Sequence, residues 1–317
     1  MNASTAIATI ATASAPAPQA TVGRFAPSPT GPLHLGSLVA ALGSCLDARA
    51  RGGSWLVRIE NLDATRVLPG CADNMLATLE AFGFAWDGPV LYQSTRLEAY
   101  RAALEQLRRS GCSYECSCSR KDLSEANGPG ASPYPGTCRH APRKAGPTAT
   151  RFRVDNHAAL QFDDLYQGPQ RFALASVGDV IVRRRDDTPS YQLAVVVDDA
   201  MQKITHVVRG TDLLTSTAWQ IALQNALSLP HVRYGHLPLV VEHDGAKLAK
   251  SRHAIALDRR RVARLLWMAL QLLQQDPPAE LGRQTVREIW QWALAHWRPH
   301  EIQGRARVYL SPRSDSF

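Results

Sequence analysis

Residues Thr21–Ser37 read TVGRFAPSPTGPLHLGS. The stretch opens with a short strand-like piece and then turns through Pro27, Pro29, Gly31 and Pro32, a density that neither strand nor helix continues. From Leu33 to about Arg51, Leu35, Leu38, Val39, Leu42 and Leu46 recur at spacings of three and four, which predicts a helix. Gly52 and Gly53 end it. SWLVRIENLD (54–63) follows as a short apolar strand with a polar end. Strand, tight turn, helix and strand make one parallel unit, so the fold class is α/β.

Outward from that unit, residues 73–83 and 94–110 predict amphipathic helices. Residues 111–150 are rich in Cys, Ser, Gly and Pro and have no hydrophobic period. RFRVD (151–155) and QFDDLYQG (161–168) predict strands of an inserted, partly antiparallel module. The apolar runs Val180–Val182, Leu193–Val197 and Ile204–Val208 are expected to be buried strands. A helix is expected over 215–227, then a strand over 231–241 leading to a lysine loop, then helical structure over 259–297. The expected organisation is a flexible leader (1–20), the first half of a catalytic domain (21–110), an inserted module (111–177), the second half (178–255) and a small helical C-terminal domain (256–317).

Composition narrows the function classes. Of 317 residues, 45% are hydrophobic and 20% charged, a balance that excludes disorder of the whole chain. No apolar run approaches the roughly 20 residues that span a bilayer. Residues 1–20 contain no basic side chain, unlike the start of a signal peptide, so a cytoplasmic location is expected. The net charge of +8 favours a polyanionic partner such as nucleic acid. Arg183-Arg184-Arg185 and the group Arg259, Arg260, Arg261 and Arg264 are candidate phosphate contacts, each also readable as a solvated charged face. Among 36 cations only five are lysines, and two of these, Lys247 and Lys250, sit three apart.

Two segments carry the chemistry. His34 falls at the start of the first helix, where unpaired N–H groups and the helix dipole favour an anion. Ser37 shares its face, and Gly36 lets a bulky group approach the backbone. Late in the chain, Lys247-Leu248-Ala249-Lys250-Ser251 follows an Asp244-Gly245 turn. Such a loop can close on a triphosphate and place ammonium groups where charge builds on leaving pyrophosphate. Four of the six cysteines, Cys112, Cys116, Cys118 and Cys138, cluster in the inserted module and point to a metal. Cys116, Cys118 and Cys138 supply three thiolates. Counting alone nominates Cys112 for the fourth position of a structural zinc, with His140 or water as further candidates.

Together the two segments resemble the class I aminoacyl-tRNA synthetases, with His34-Leu35-Gly36-Ser37 at the HIGH position and Lys247–Ser251 at the KMSKS position. Arg24-Phe25-Ala26-Pro27-Ser28-Pro29-Thr30-Gly31, SYQLAVVVDD (190–199) and HVVRGTDLL (206–214) resemble the glutamyl branch. The likeness covers about residues 22–255. It implies a Rossmann-like catalytic domain carrying a zinc-bearing insert. His34 and Lys250 become catalytic. Gly36, Ser37, Lys247 and Ser251 join them in binding ATP, accompanied by Mg2+. Arg24, Ala26, Ser28, Glu60, Tyr191 and Arg209 become the L-glutamate pocket, with Glu60 for the α-ammonium and Arg209 for the side-chain carboxylate. The branch's C-x-C…Y-x-x-x-C arrangement implies Cys116, Cys118, Tyr134 and Cys138 as ligands of one structural Zn2+. HLGS lacks the second histidine of HIGH, and KLAKS has Leu-Ala for Met-Ser.

Only 66 residues follow Ser251. The chain thereby resembles the truncated glutamyl-queuosine tRNA(Asp) synthetases, which activate glutamate with ATP and attach it to the queuosine base of the tRNA(Asp) anticodon. The expected partners are L-glutamate and queuosine-containing tRNA(Asp), with the protein acting as a monomer. Three other readings compete: glutamate transfer to the tRNA 3′ end, adenylylation of a small acid without RNA, and an idle tRNA-binding paralogue. The early end of the chain opposes the first. RFAPSPTG and VVRGTDLL oppose the second. The presence of both His34 and Lys250 opposes the third.

Overall fold

The computed structural model describes residues 20–127, 133–241 and 257–310. Residues 1–19 of the expected leader, and the segment with Lys247, Lys250 and Ser251, lie outside them.

The opening unit forms as its residues dictate. Strand β1 (Val22–Phe25), helix α1 (Leu35–Ala50) and strand β2 (Ser54–Ile59) follow in order. The two strands pair in parallel from Val22 opposite Ser54 to Phe25 opposite Val57. Helix α2 (Cys71–Ala81) leads to β3 (Leu91–Tyr92), parallel to β2, and then to α3 (Leu97–Arg109).

The insert is antiparallel. Strands β4 (Ser113–Cys116), β5 (Ala149–Phe152) and β8 (Val180–Arg183) form one sheet in that order. Within this span come α4 (Arg120–Asn127), the hairpin β6 (Ala159–Asp164) and β7 (Gly168–Ala173), and the short α5 (Leu174–Val177). The chain then returns through α6 (Tyr191–Met201), β9 (His206–Gly210), α7 (Leu214–Ala226), β10 (Arg233–Leu237) and β11 (Leu239–Val241). Strands β9 and β10 pair in parallel. Thr205 N–H donates to Val22 O at 2.9 Å, which sets β9 beside β1. The spatial order is therefore β3-β2-β1-β9-β10.

Leu193–Val197 is a correction: the run lies inside helix α6, not in a strand. Leu193, Ala194, Val195, Val196, Asp198 and Asp199 are all buried. A helix buried on nearly every side shows no apolar stripe, so periodicity cannot separate it from a buried strand.

Over 259–297, Pro277 and Pro278 divide the expected helical stretch into α8 (Val262–Leu272) and α9 (Val286–Ala295). A final strand, β12 (Arg307–Tyr309), which the periodicity did not announce, pairs in parallel with β11. Leu265, Leu266 and Ala269 of α8 share one core with Leu38, Leu42 and Leu46 of α1. On α9, Trp290 Nε1–H donates to Phe82 O at 3.0 Å. The next residue, Gly83, has φ +76°, and a Cβ there would stand 2.6 Å from Val286. Glycine at this position lets α9 seat on the end of α2. A second core joins Tyr100 and Leu107 of α3 to Leu193, Val207 and Leu223, and to Phe152 and Leu160 of the insert.

Candidate active site

A cavity of about 430 Å³ opens at the carboxyl ends of β1, β2, β9 and β10. Open α/β sheets bind their ligands at that edge. Its lining includes Arg24, Ala26, Ser28, His34, Gly36, Ser37, Glu60, Tyr191 and Arg209. Those nine are all of the expected glutamate and nucleotide residues that fall among the described ones. They are brought together from positions as far apart as 24 and 209.

His34 is the N-cap of α1. Its Nδ1 accepts from Ser37 N–H at 3.3 Å, while Ser37 Oγ accepts from His34 N–H at 3.4 Å, a reciprocal capping box. An accepting Nδ1 leaves the ring proton of a neutral imidazole on Nε2, so that nitrogen is a donor. A Cβ on Gly36 would stand 3.1 Å from the His34 ring. Glycine there makes room for the folded-back imidazole, a closer reason than room for a ligand.

Behind the cavity lies a buried charge network. Arg24 Nε–H donates to Asp199 Oδ1 at 3.3 Å. Arg58 Nη1 sits 2.8 Å from the same oxygen, and its Nη2 lies 3.5 Å from Glu60 Oε1. Arg58 is fully buried. The neighbouring Asp198 accepts from Gln93, Arg96 and Tyr100. Burial opposes the charge of Asp199, but Arg58 and Arg24 outweigh it and hold the carboxyl below its ordinary value. Burial pushes Glu60 up to about 7 against the pull of the same two arginines. Removing one partner of a buried pair strands the others. Arg58→Met is expected to cost about 3–5 kcal/mol, read as a shift of the urea midpoint. A loss below about 1 kcal/mol would show that Asp199 and Glu60 find other partners.

Arg209 is equally enclosed. Its Nη1–H donates to Tyr191 OH at 3.3 Å and its Nη2–H to Thr217 Oγ1 at 2.8 Å. Its Nε–H donates to His236 Nε2 at 3.2 Å. Fixed cations beside a hydroxyl and a carboxylate make a polar pocket that can pair with carboxylate and ammonium groups.

The family model of tRNA synthetases class I (E and Q), catalytic domain, matches residues 20–274. The glutamyl-Q tRNA(Asp) synthetase of Aromatoleum aromaticum is 49% identical over 300 residues, 92% of this chain and 95% of that one. Its counterpart in Pseudomonas aeruginosa PAO1 is 50% identical over 277 residues, 87% and 93% of the two chains. This chain belongs to the glutamyl-Q tRNA(Asp) synthetase family of class I synthetases. Among solved structures, the glutamate tRNA ligase of Elizabethkingia meningosepticum, in complex with its amino acid, superposes with a TM-score of 0.76 at 24% identity. The superposition covers 93% of this chain and 68% of that one, and it shows the fold.

In the insert, Cys116, Cys118 and Cys138 place their sulfurs within 4.8 Å of one another. Tyr134 OH lies 3.3 Å from Cys116 Sγ and 3.5 Å from Cys118 Sγ, and Cys118 and Cys138 are 3.5 Å apart. Sulfurs of a tetrahedral zinc site, with bonds near 2.3 Å, stand about 3.8 Å apart. Three thiols and a phenol at these separations fit such an ion. Of the other candidates for the fourth position, Cys112 turns its sulfur to Ser110 O and packs on the second core. His140 is exposed and outside the cluster. Cys45 and Cys71 are buried among apolar side chains.

The two arginine groups are largely engaged within the protein. Arg183 pairs with Glu115 and Asp187, and Arg184 with Asp63 and Asp186. Arg185 donates to Ser117 O. Arg259 donates to Asn74 O and Thr78 Oγ1, and Arg260 pairs with Asp258. Sequence reasoning missed Arg58, Asp199, Thr217, His236 and Asp164. The available signal was a charge inside an apolar run, which needs a buried partner: Arg58 in SWLVRI, and Asp198-Asp199 closing YQLAVVV.

Proposed function

We propose that this protein activates L-glutamate with ATP and transfers it to the queuosine base in the anticodon of tRNA(Asp). The observation that carries the reading is the convergence of Arg24, Glu60, Tyr191 and Arg209 with His34 in one cavity, in a chain about half identical to proteins of that name. Arg24, with the backbone at Ala26 and Ser28, forms the mouth that receives the amino acid. Glu60 takes the α-ammonium, and Tyr191 and Arg209 take the side-chain carboxylate.

The α-carboxylate then attacks the α-phosphate of ATP in line, forming glutamyl-adenylate and releasing pyrophosphate. His34 Nε2–H and the N-terminus of α1 stabilise phosphate oxygens. Gly36 and Ser37 keep that terminus open and capped. Lys247, Lys250 and Ser251 close on the triphosphate. Magnesium bound with ATP would offset the charge of the triphosphate. In the second step a hydroxyl of the queuosine cyclopentene ring bonds to the adenylate carbonyl carbon, the carbon–oxygen bond to phosphate breaks, and AMP leaves with the proton. Cys116, Cys118, Tyr134 and Cys138 would hold one Zn2+, which would cross-link a segment with few apolar residues.

The acceptor base lies in the anticodon loop, so the reaction needs no acceptor stem. Labelled glutamate should be transferred to tRNA(Asp) trimmed of its 3′ CCA, at a rate within about twofold of the intact tRNA. Loss of transfer on trimming would assign the 3′ end instead. The same assay reads the ionisation of Glu60. An α-ammonium needs the carboxylate, and burial holds that group up to about 7. The KM for glutamate should therefore rise about tenfold per pH unit below that value. A KM that stays level from pH 8 to 6 would remove Glu60 from this role.

A further inference from the structure

Arg209 on β9 and His236 on β10 are direct neighbours across the parallel pair. His236 is fully buried, and so is the side chain of Asp164, at the end of β6. Asp164 Oδ2 meets His236 Nδ1 at 2.5 Å. Asp164 Oδ1 accepts the backbone N–H groups of Tyr166, Gln167 and His236, at 2.9–3.0 Å. The carboxylate is thus saturated with donors, and the one it takes from a side chain is the imidazole Nδ1–H. A neutral imidazole carries a single proton. With that proton on Nδ1, Nε2 presents a lone pair, and Arg209 Nε–H points at it from 3.2 Å. Thr217 Oγ1, 3.2 Å from the same nitrogen, takes Arg209 Nη2–H and lies 3.5 Å from Leu213 O, to which it donates.

Burial and the nearby Arg209 charge hold His236 below the ordinary imidazole value against the opposing bond to Asp164, while Asp164 is held below the usual carboxylate range because the bonds from His236 outweigh its burial. The Tyr234 ring stacks on the imidazole and lies 5.4 Å from the Arg209 guanidinium carbon. The hairpin turn carrying Asp164 is itself pinned. Tyr166 OH donates to Asp47 of α1 at 2.8 Å, and Gln167 donates to His236 O at 2.8 Å. An imidazole accepting from a guanidinium is an unusual use of histidine, and this arrangement only works in one tautomer.

We propose that Asp164 and His236 are positioning residues for amino-acid selection: the carboxylate locks the His236 tautomer, and the imidazole aims the Arg209 guanidinium at the substrate's side-chain carboxylate. The inference rests on the glutamate reading of Arg209. It makes the inserted hairpin part of the specificity machinery.

Asp164→Asn keeps the shape but offers an amide N–H to His236 Nδ1. The imidazole proton then moves to Nε2 and faces Arg209 Nε–H, donor against donor. A buried donor left without an acceptor costs enough to change affinity about tenfold to a hundredfold. In glutamate-dependent pyrophosphate exchange, Asp164→Asn should raise the KM for glutamate by that factor, with the KM for ATP and kcat within about twofold of wild type. His236→Gln keeps an acceptor oxygen near the Nε2 position and should recover most of the affinity, whereas His236→Leu should not. A glutamate KM unchanged in a folded Asp164→Asn protein would overturn the proposal, as would losses shared equally by glutamate, ATP and kcat. The wild-type protein gives an independent reading. With 15N-labelled histidine, assigned by difference against His236→Gln, His236 should show a protonated Nδ1 and an unprotonated Nε2 between pH 6 and 8. The opposite tautomer would overturn the proposal whatever the variants do. If Arg209→Ala leaves glutamate affinity intact, the reading of Arg209 fails. If Arg209→Ala weakens it and Asp164→Asn does not, only the tautomer lock fails.

Discussion

Arg209→Ala is expected to lower the kcat/KM of glutamate-dependent pyrophosphate exchange by about a hundredfold to a thousandfold, almost all of it in the KM for glutamate. Arg209 is buried at the cavity wall, and each arm of its guanidinium is already held. A carboxylate arriving there loses its water and needs the fork to replace it. Truncating one partner of a buried charge pair costs about 2–5 kcal/mol, much of it the penalty of the stranded charge. The substrate carboxylate would be that stranded charge. His236 Nε2 would lose its donor as well. Arg209→Lys should recover little, because an ammonium cannot keep the bonds to His236, Tyr191 and Thr217 while it meets a carboxylate. The KM for ATP should stay within about twofold, since His34 and the α1 terminus are untouched. An unchanged glutamate KM in the alanine variant would mean the side-chain carboxylate binds elsewhere.

The second large effect concerns the insert. Wild-type protein should carry about one zinc per chain, and Cys138→Ser should carry almost none. The described apolar content around the cluster is slight: Cys116, Tyr134 and Cys138 are buried, flanked by Tyr114, Cys118 and Leu123. Arg151 stacks on the Tyr134 ring at 3.8 Å, which adds little compared with a metal. Structural zinc in small modules contributes about 10–16 kcal/mol of apparent binding energy, and that energy is folding energy. Serine lacks a thiolate, so the site loses affinity and the segment loses its cross-link. Limited proteolysis should cut the variant within 113–151 under conditions where wild type resists, and elemental analysis should report the metal. Wild-type protein that purifies without zinc and melts at the same temperature with or without a chelator would contradict the assignment.

How far the sequence reached depended on the range of the interaction. The β1–α1–β2 unit was legible because its turn is punctuated by proline and its helix keeps a three-and-four spacing. The cavity residues next to recognisable motifs were legible too: Arg24, Ala26, Ser28, His34, Gly36 and Ser37 lie within fourteen consecutive positions. The α6 run was not, because a helix enclosed by α3, α7 and β8 has no polar face to reveal its period. The supports of the site were also hidden. Asp164 meets His236 across 72 positions, and Arg24 meets Asp199 across 175. No local pattern announces such pairs. A single sequence offers only the weaker sign that a charge stands in an apolar run. Tyr134 shows the complementary case, a residue that cysteine counting passes over and that the distances bring into the cluster.

The proposed acceptor is the queuosine base of the tRNA(Asp) anticodon. The measurement that tests it most directly is ATP-dependent transfer of labelled glutamate to two matched tRNA(Asp) pools, one containing queuosine and one carrying the unmodified guanosine. The account predicts label on the queuosine-containing pool alone. Equal labelling of both pools would contradict it and assign glutamate to the tRNA 3′ end.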